Sequence, residues 1–227
     1  DAVDKKELPN WEAKVEKLKE QEASQDVPGF LPKEAIEAVS SMATPDTVIA
    51  TDVGQHQMWV AQHYGFMGKK TWVSSGGLGT MGFGMGAAIG AAYGSGKRSI
   101  LFTGDGSFAM NMNELATAVT YNVPLTIVLL NNGVLGMVRQ WQTLFYDKKY
   151  SNTVLQRKTD FVKYAEAMGA TGFKAETIEE FKDVFEKAYA LEGPALIDLR
   201  IDKDELVLPM VPAGGTFDKI ITERSDK

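Results

Sequence analysis

The feature that most constrains the fold is a pair of apolar segments, about one helix apart, that both end in polar residues. "RSILFTGD" ends at Asp105, which lies between two glycines, and "PLTIVLLNN" ends at Asn131 and Asn132. Segments this apolar are typical of strands that are covered on both faces, and such strands run parallel with helices between them. The pair therefore predicts an α/β fold, with a mostly parallel sheet and helices on both faces.

Strand-like and helix-like segments alternate along most of the rest of the chain. Pro32 suits the first turn of a helix, and Thr177 with Glu180 forms a capping box before the last helix. We predict helices at 33–43, 80–94, 111–122, 134–145, 159–169 and 178–191, and further strands at 46–52, 69–75 and 194–201.

The N-terminal segment has a different pattern. Trp11, Val15 and Leu18 recur at helical spacing among charged residues, and the prolines of "QDVPGFLP" end that segment. Two interpretations stay open: a surface helix, or a linker from a longer chain. We divide the chain into a linker helix with its connection (1–30), a main domain (31–205) and a C-terminal tail (206–227).

Composition excludes several classes of function. The net charge of −6 argues against general nucleic-acid binding, and the absence of cysteine excludes disulfides and thiolate metal sites. The apolar segments are too short to span a membrane, and the charged N-terminus lacks the apolar region of a signal peptide. We expect a soluble, cytoplasmic protein that binds neither nucleic acid nor membrane.

"GGLGTMG" matches the dinucleotide-binding fingerprint of Rossmann folds through Gly77, Gly79 and Gly82, and Asp105 follows Gly82 by 23 residues. The segment before the match, "KKTWVSS", is a poor buried strand, however. Asp105 is also followed by a glycine and a new helix, which is the setting of an anion site rather than of a ribose-binding acid. We therefore do not favour the dinucleotide interpretation.

The strand ends themselves predict a metal and phosphate site. The carboxyl ends of parallel strands meet at one edge of the sheet, so Asp52, Asp105 and Asn132 should lie close together. Asp105 and Asn132 offer the oxygen ligands that Mg²⁺ prefers, and Gly104 and Gly106 let the backbone approach a phosphate at a helix start. The simpler alternative is that Asp105 only caps the helix and the asparagines only form a turn.

Longer motifs resemble a known family. "GDGSFAMNMNELATAVTYNVPLTIVLLNN" resembles the thiamine-diphosphate-binding motif, which begins with GDG and closes with NN. "TDVGQHQMWVAQHY", "SSGGLGTMGFG", "NNGVLGMVRQWQTLFY" and "LPMVPAGG" resemble, in order and spacing, the catalytic subunits of the acetohydroxyacid synthase (acetolactate synthase) family. The resemblance runs from about residue 30 to the tail and implies the thiamine-diphosphate-binding fold.

The resemblance also assigns roles to residues. It makes Asp105, Asn132 and the backbone carbonyl of Val134 the Mg²⁺ ligands. Met81 would wedge under the bent cofactor, and Met137 and Trp141 would border the substrate channel. The residues implied to bind the cofactor are Val53, Gly54, Gln55, His56, Gly79, Met81, Gly104, Gly106, Ser107, Asn132, Gly136 and Met137.

Plainer interpretations of some of these residues stay open. His56 could be a surface histidine, and Met81, Met137 and Trp141 could be ordinary core residues. One departure from the family pattern is Gly86, where the family usually has proline.

By the same resemblance, the complete enzyme decarboxylates pyruvate and joins the product to a second 2-oxo acid, pyruvate or 2-oxobutyrate, in branched-chain amino acid biosynthesis. The implied partners are a pyrimidine-binding domain, a middle domain that binds FAD in the family, further copies in a homo-oligomer, and a small regulatory subunit. The glutamate that activates the cofactor belongs to the pyrimidine-binding domain, so we expect no catalytic residue in this chain.

Two alternatives differ in class. The chain could be a module that holds Mg²⁺ and thiamine diphosphate without chemistry of its own. It could also be the cofactor-binding subunit of a naturally split 2-oxo acid decarboxylase, such as sulfopyruvate decarboxylase.

Overall fold

The computed structural model describes residues 31–68 and 71–222, together with Ala13, Lys14 and Lys17. Within this part of the chain, six strands form one sheet, and every neighbouring pair in it is parallel. The strands are β1 (Val48–Thr51), β2 (Trp72–Ser74), β3 (Ser99–Gly104), β4 (Leu125–Asn131), β5 (Thr171–Ala175) and β6 (Ala195–Arg200). Their order across the sheet is β2-β1-β3-β4-β6-β5. The predicted parallel α/β fold is confirmed.

Helices occupy the connections between the strands. They are α1 (Leu31–Met42), α2 (Gln55–His63), α3 (Phe83–Ser95), α4 (Asp105–Asn111), α5 (Leu115–Thr120), α6 (Gly136–Phe145), α7 (Phe161–Met168) and α8 (Ile178–Ala190), with short 3₁₀ turns at Met112–Glu114 and Phe217–Lys219. None of the helices in the described ranges has both the length and the apolar character needed to cross a membrane.

The alternation of side chains along the buried strands builds the core. Leu101 and Ile127 point to the face where they pack with Met85, Phe108 and other residues of α3, α4, α5 and α7. Neighbouring residues such as Phe102 are equally buried but point to the opposite face, because successive side chains of a strand alternate. Helix α1 contacts α2 and α8, and α2 and α8 contact strands of the sheet.

The strand register brings the polar strand ends together. Thr51 of β1 lies opposite Phe102 of β3, and Gly104 of β3 lies opposite Leu130 of β4. Asp52, Asp105 and the asparagine pair therefore follow three adjacent strands at the same edge of the sheet, as the sequence predicted.

Two elements differ from the sequence prediction. Strand β5 was not predicted, because it is a short edge strand containing Gly172, and most of its residues are only half-buried or exposed. The helix predicted at 111–122 is instead a series of short helical segments that starts at Asp105, directly after β3.

The capping box is partly confirmed. The Thr177 hydroxyl accepts a hydrogen bond from the backbone N–H of Glu180, but the Glu180 carboxylate accepts from the N–H of Glu176, one residue before the cap. Trp11, Val15 and Leu18 lie outside the described residues, whereas Ala13, Lys14 and Lys17 of the same predicted helix are helical. The division of the chain at residues 30 and 205 stays a prediction.

Candidate functional site

A cleft lies at the carboxyl ends of β1, β3 and β4. It contains most of the residues that the sequence analysis assigned to a cofactor. Its lining comprises Val53, Gly54, Gln55, His56, Trp59, Met81, Gly104, Asp105, Gly106, Ser107, Leu130, Asn132, Val134, Leu135, Gly136, Met137 and Val138. Three loops, each following a different strand, thus converge on one depression.

Asp105 holds a buried oxygen atom without a partner. The residue is 2% exposed, and its Oδ1 is one of three buried side-chain atoms in the described part of the chain that make no hydrogen bond. Burial raises the pKa of Asp105 to about 6, although nearby backbone N–H groups and the charge of Arg157 act in the opposite direction. A buried, unpaired carboxylate is unfavourable, and a bound cation would remove that penalty.

Asn132 lines the same cleft as Asp105, and hydrogen bonds already orient its amide. Its Oδ1 accepts a hydrogen bond from the Val134 N–H at 3.1 Å, and its Nδ2 donates to Gln55 Oε1 at 3.4 Å. No group of three His, Asp or Glu side chains converges on one point in the described ranges. The donor set of one carboxylate and one amide fits Mg²⁺, which takes few protein ligands and completes its shell from phosphate and water.

Glycines make room for His56 beside Asp105. A side chain at Gly54 would place its Cβ 2.8 Å from His56 Cε1, and one at Gly104 would lie 3.1 Å from His56 Nδ1. His56 is 5% exposed, and its Nε2 is another buried atom without a partner. Burial lowers its pKa to about 4, although the Asp52 carboxylate opposes that shift, so the ring is neutral at pH 7. His56 is therefore not a surface histidine.

Gly106 and Gly136 are required by close packing at the cleft floor. A Cβ at Gly106 would lie 2.9 Å from Leu135 Cδ2, and Met81 Cε would be 3.7 Å away. A Cβ at Gly136 would lie 2.0 Å from Gln55 Oε1. Both glycines lie in the first turn of a helix, where backbone N–H groups have no partner within the helix and can bind an anion.

Asp52 supports the cleft without lining it. Its Oδ1 accepts hydrogen bonds from the N–H groups of Val53 and Gly82, and its Oδ2 accepts from the Thr103 hydroxyl. Asp52 thereby ties the loop after β1 to the start of α3. The position of Asp52 at a strand end could be predicted from sequence, but this role could not.

The N–H of Gly82, the last glycine of the apparent dinucleotide fingerprint, donates to the Asp52 carboxylate. The same N–H also donates to the Ser107 hydroxyl. Gly79 lies in the exposed loop before α3 and is not part of the cleft lining, although a Cβ there would be 3.9 Å from Val53 Cγ1. Its assignment to the cofactor stays a prediction.

A second, larger cavity of about 740 Å³ adjoins the first through Met137, which lines both. Trp141 is 36% exposed and packs edge to face with Phe145, with ring centroids 5.4 Å apart, along this cavity. Trp141 is therefore a cavity wall rather than a core tryptophan. The spacing of Met137 and Trp141 by one helical turn is the signal that places them on one face.

Sequence reasoning missed several residues that shape the cleft. Trp59, Leu130, Leu135 and Val138 line it, and none carries a motif that distinguishes it from an ordinary core residue. Gln140 was also missed. It is buried behind the cleft and hydrogen-bonds to Gln55.

Comparison with known proteins agrees with this geometry. Residues 52–199 match the sequence profile of the family described as thiamine pyrophosphate enzyme, C-terminal TPP binding domain. The chain is 38% identical over 220 residues to the acetolactate synthase large subunit of Haemophilus influenzae, covering 96% of this chain and 38% of the relative.

Two further relatives also match most of this chain over about a third of their own length. Identity is 45% over 199 residues to the acetolactate synthase of Mycobacterium bovis, covering 85% of this chain and 32% of the relative. Identity is 40% over 226 residues to the mitochondrial acetolactate synthase catalytic subunit of Saccharomyces cerevisiae, covering 95% of this chain and 33% of the relative. The chain thus spans between 32% and 38% of the length of these relatives. Thiamine pyrophosphate is another name for thiamine diphosphate, and the chain belongs to the family of C-terminal thiamine-pyrophosphate-binding domains.

Proposed function

We propose that this chain is the domain of an acetolactate synthase catalytic subunit that binds the diphosphate of thiamine diphosphate together with Mg²⁺. The complete enzyme would decarboxylate pyruvate and join the product to pyruvate or 2-oxobutyrate, a reaction of branched-chain amino acid biosynthesis. Thiamine diphosphate supplies the carbanion chemistry that such a reaction needs.

The observation that carries the proposal is the unpartnered Oδ1 of Asp105, buried in the cleft where three strand ends meet. A cation bridging Asp105 to a diphosphate would give this oxygen a partner. Asn132 Oδ1 and the Val134 carbonyl are the other protein ligands that we propose. The resemblance to acetolactate synthases, rather than to split decarboxylases, is what favours the synthase reaction.

The remaining residues of the cleft would bind the diphosphate and exclude water. The N–H groups of Gly106, Ser107, Gly136 and Met137 are donors for its oxygens. His56 is neutral and buried, so its Nε2 can make a hydrogen bond to a ligand without adding a charge.

A second set of residues would bind the rest of the cofactor and the substrates. We propose that Met81 would wedge under the cofactor and that the Gly79 carbonyl would accept a hydrogen bond from the cofactor's amino group. The larger cavity beside Met137 and Trp141 would admit the 2-oxo acids.

The remaining parts of the proposal depend on the rest of the enzyme. We propose that residues 1–30 connect this domain to a preceding FAD-binding middle domain, and that a pyrimidine-binding domain supplies the activating glutamate. Assembly as a homo-oligomer, association with a small regulatory subunit, and a cytoplasmic location belong to the same proposal.

Calorimetric titration of the purified chain with thiamine diphosphate, with and without Mg²⁺, tests the binding function. We expect one binding site whose affinity requires the metal ion. Thiamine monophosphate is the matched control ligand, because it lacks the second phosphate that the metal would bridge. Equal binding of both ligands, or no dependence on Mg²⁺, would contradict the proposal.

A further inference from the structure

A chain of hydrogen bonds leads from the cleft to a glutamine that none of the cofactor-binding assignments includes. Gln140 lies on α6 and is 1% exposed. Its Oε1 accepts from Gln55 Nε2 at 3.0 Å and from the Val207 N–H at 2.8 Å. Its Nε2 donates to the Val207 carbonyl at 3.0 Å and contacts Met210 Sδ at 3.2 Å. Both ends of this buried amide are therefore engaged.

The backbone of Val207 determines how the Gln140 amide is turned. A peptide N–H can only donate and a peptide carbonyl can only accept, so Oε1 must face the N–H and Nε2 must face the carbonyl. This leaves Oε1 directed at Gln55. The orientation thus follows from groups that cannot themselves be flipped.

The same reasoning fixes the amide of Gln55. Its Nε2 donates to the backbone carbonyl of Glu205 at 2.7 Å as well as to Gln140 Oε1, which uses both N–H bonds of the amide. Gln55 Oε1 must therefore face the cleft. There it lies against Gly136, whose lack of a Cβ makes space for it, and accepts from Asn132 Nδ2 at 3.4 Å.

We propose that Gln140 is a positioning residue for the metal site, acting through Gln55 on Asn132. With the Gln55 oxygen facing the cleft, the Asn132 NH₂ group turns toward Gln55 and its Oδ1 stays available to a metal ion. Without Gln140, Gln55 could turn its own NH₂ group toward that of Asn132, which would place two donors against each other. This inference rests on the proposed function, because the metal site belongs to it.

The proposal makes the backbone of residues 205–207 part of the cofactor site, although these residues lie far along the chain from Gln55 and Asn132. The carbonyls of Glu205 and Val207 are the fixed points from which the two glutamines are oriented. Asp204 holds the same segment in a different way, because its Oδ1 accepts from Arg139 Nε at 2.8 Å and from Nη2 at 2.6 Å. Neither Arg139 nor Asp204 is among the residues that line the cleft.

The test compares Gln140→Met with Asp204→Asn in the full chain. Methionine keeps the length and packing of glutamine but cannot orient Gln55, whereas Asp204→Asn weakens the attachment of the segment and leaves both glutamines intact. Thiamine diphosphate is titrated at a series of Mg²⁺ concentrations to give the apparent metal affinity, and thermal unfolding without ligands is recorded for each variant. We expect Gln140→Met to lower the metal affinity by about 10- to 100-fold, as loss of a group that orients a ligand does. We expect Asp204→Asn to leave it unchanged.

A double-mutant cycle with Gln55→Met separates positioning from general stability. If Gln140 acts through Gln55, then Gln140→Met should have little further effect on metal affinity in the Gln55→Met background. Full additivity of the two changes would overturn the proposal, and so would an equal loss of affinity in Asp204→Asn.

A second variant covers the case in which Gln140→Met does not fold. Gln140→Glu keeps the oxygen that accepts from Gln55 and, when its carboxyl group is protonated, a donor to the Val207 carbonyl. In that form it should lose less than about tenfold in metal affinity, and a larger loss in folded protein would overturn the proposal. Absence of Mg²⁺-dependent binding in the unmodified chain would contradict the proposed function itself, and this inference with it. Mg²⁺-dependent binding of thiamine diphosphate that is unchanged when Gln140 is substituted would contradict only the inference.

Discussion

At the scale of single residues, Asp105 is buried in the cleft while one of its carboxylate oxygens has no hydrogen-bond partner. Its buried Oδ1 makes no hydrogen bond and so adds no stabilising contact in the absence of a cation, although backbone N–H groups act on the carboxylate as a whole. We expect Asp105→Ala to abolish Mg²⁺-dependent binding of thiamine diphosphate while the free energy of unfolding without metal stays the same or rises.

Calorimetric titration and urea unfolding measure these two quantities on the same preparation. Ser107→Ala is a useful comparison, because it removes a neighbouring hydroxyl but keeps the backbone N–H and the carboxylate. Unchanged affinity in Asp105→Ala would remove Asp105 from the metal site, and a large loss of stability would show that the carboxylate has a structural role.

Trp141 is the second residue whose surroundings predict a specific phenotype. Its ring packs on Phe145 at the wall of the larger cavity and is partly exposed, so Trp141→Leu should change stability by no more than about 1 kcal/mol. In a complete enzyme containing this domain, we expect altered KM for 2-oxo acids or altered inhibitor binding instead. A loss above about 3 kcal/mol with normal kinetics would indicate a core tryptophan.

At the scale of elements, helix α3 contains glycines with opposite roles. A Cβ at Gly90 would meet no atom within 4 Å, whereas one at Gly84 would lie 2.7 Å from Leu101 Cδ1 and 3.0 Å from Asp52 Cβ. Gly90→Ala should therefore stabilise the chain by roughly 0.5–1 kcal/mol, because alanine has less backbone freedom to lose. Gly84→Ala should destabilise it by about 1–3 kcal/mol through overpacking.

Urea unfolding of Gly90→Ala, Gly84→Ala and the unmodified chain measures the two changes in the free energy of unfolding. The two substitutions make the same chemical change in one helix, so a difference in sign must come from the surroundings. Stabilisation by Gly84→Ala would mean that α3 can move away from β3 and Asp52 without loss. Gly86 lies near the start of α3, which begins at Phe83 without a proline at this position.

Features of the fold and of the candidate site could be predicted from sequence where the residues of one segment, taken by themselves, indicate its structure. The strand ends carrying Asp105 and Asn132 could be predicted to meet, because parallel strands share one edge. Strand β5 could not, since a short edge strand shows little apolar periodicity. Gln140 could not either, because its partner Val207 is 67 residues away and its role depends on which backbone groups face it.

At the scale of the whole molecule, the proposed function assigns this chain the metal and diphosphate end of the site and assigns the activating acid to another domain. Asp105 is the one carboxylate among the described residues that line the cleft. Asp52 is buried and already accepts hydrogen bonds from Val53, Gly82 and Thr103. Neither carboxylate is free to polarise a pyrimidine ring.

We therefore expect the chain alone to be catalytically silent even when it is saturated with thiamine diphosphate and Mg²⁺. In the proposed enzyme the pyrimidine-binding domain would cover the cleft, and water entering in its absence would weaken every electrostatic contribution to catalysis. Acetolactate formation from pyruvate is measured for the chain alone and then with the missing N-terminal portion of the subunit added as a separate polypeptide. Activity only in the second case would support the proposal, provided that Asp105→Ala abolishes it. Substantial turnover by the chain alone would mean that an activating acid lies within these 227 residues and that its place has been misidentified.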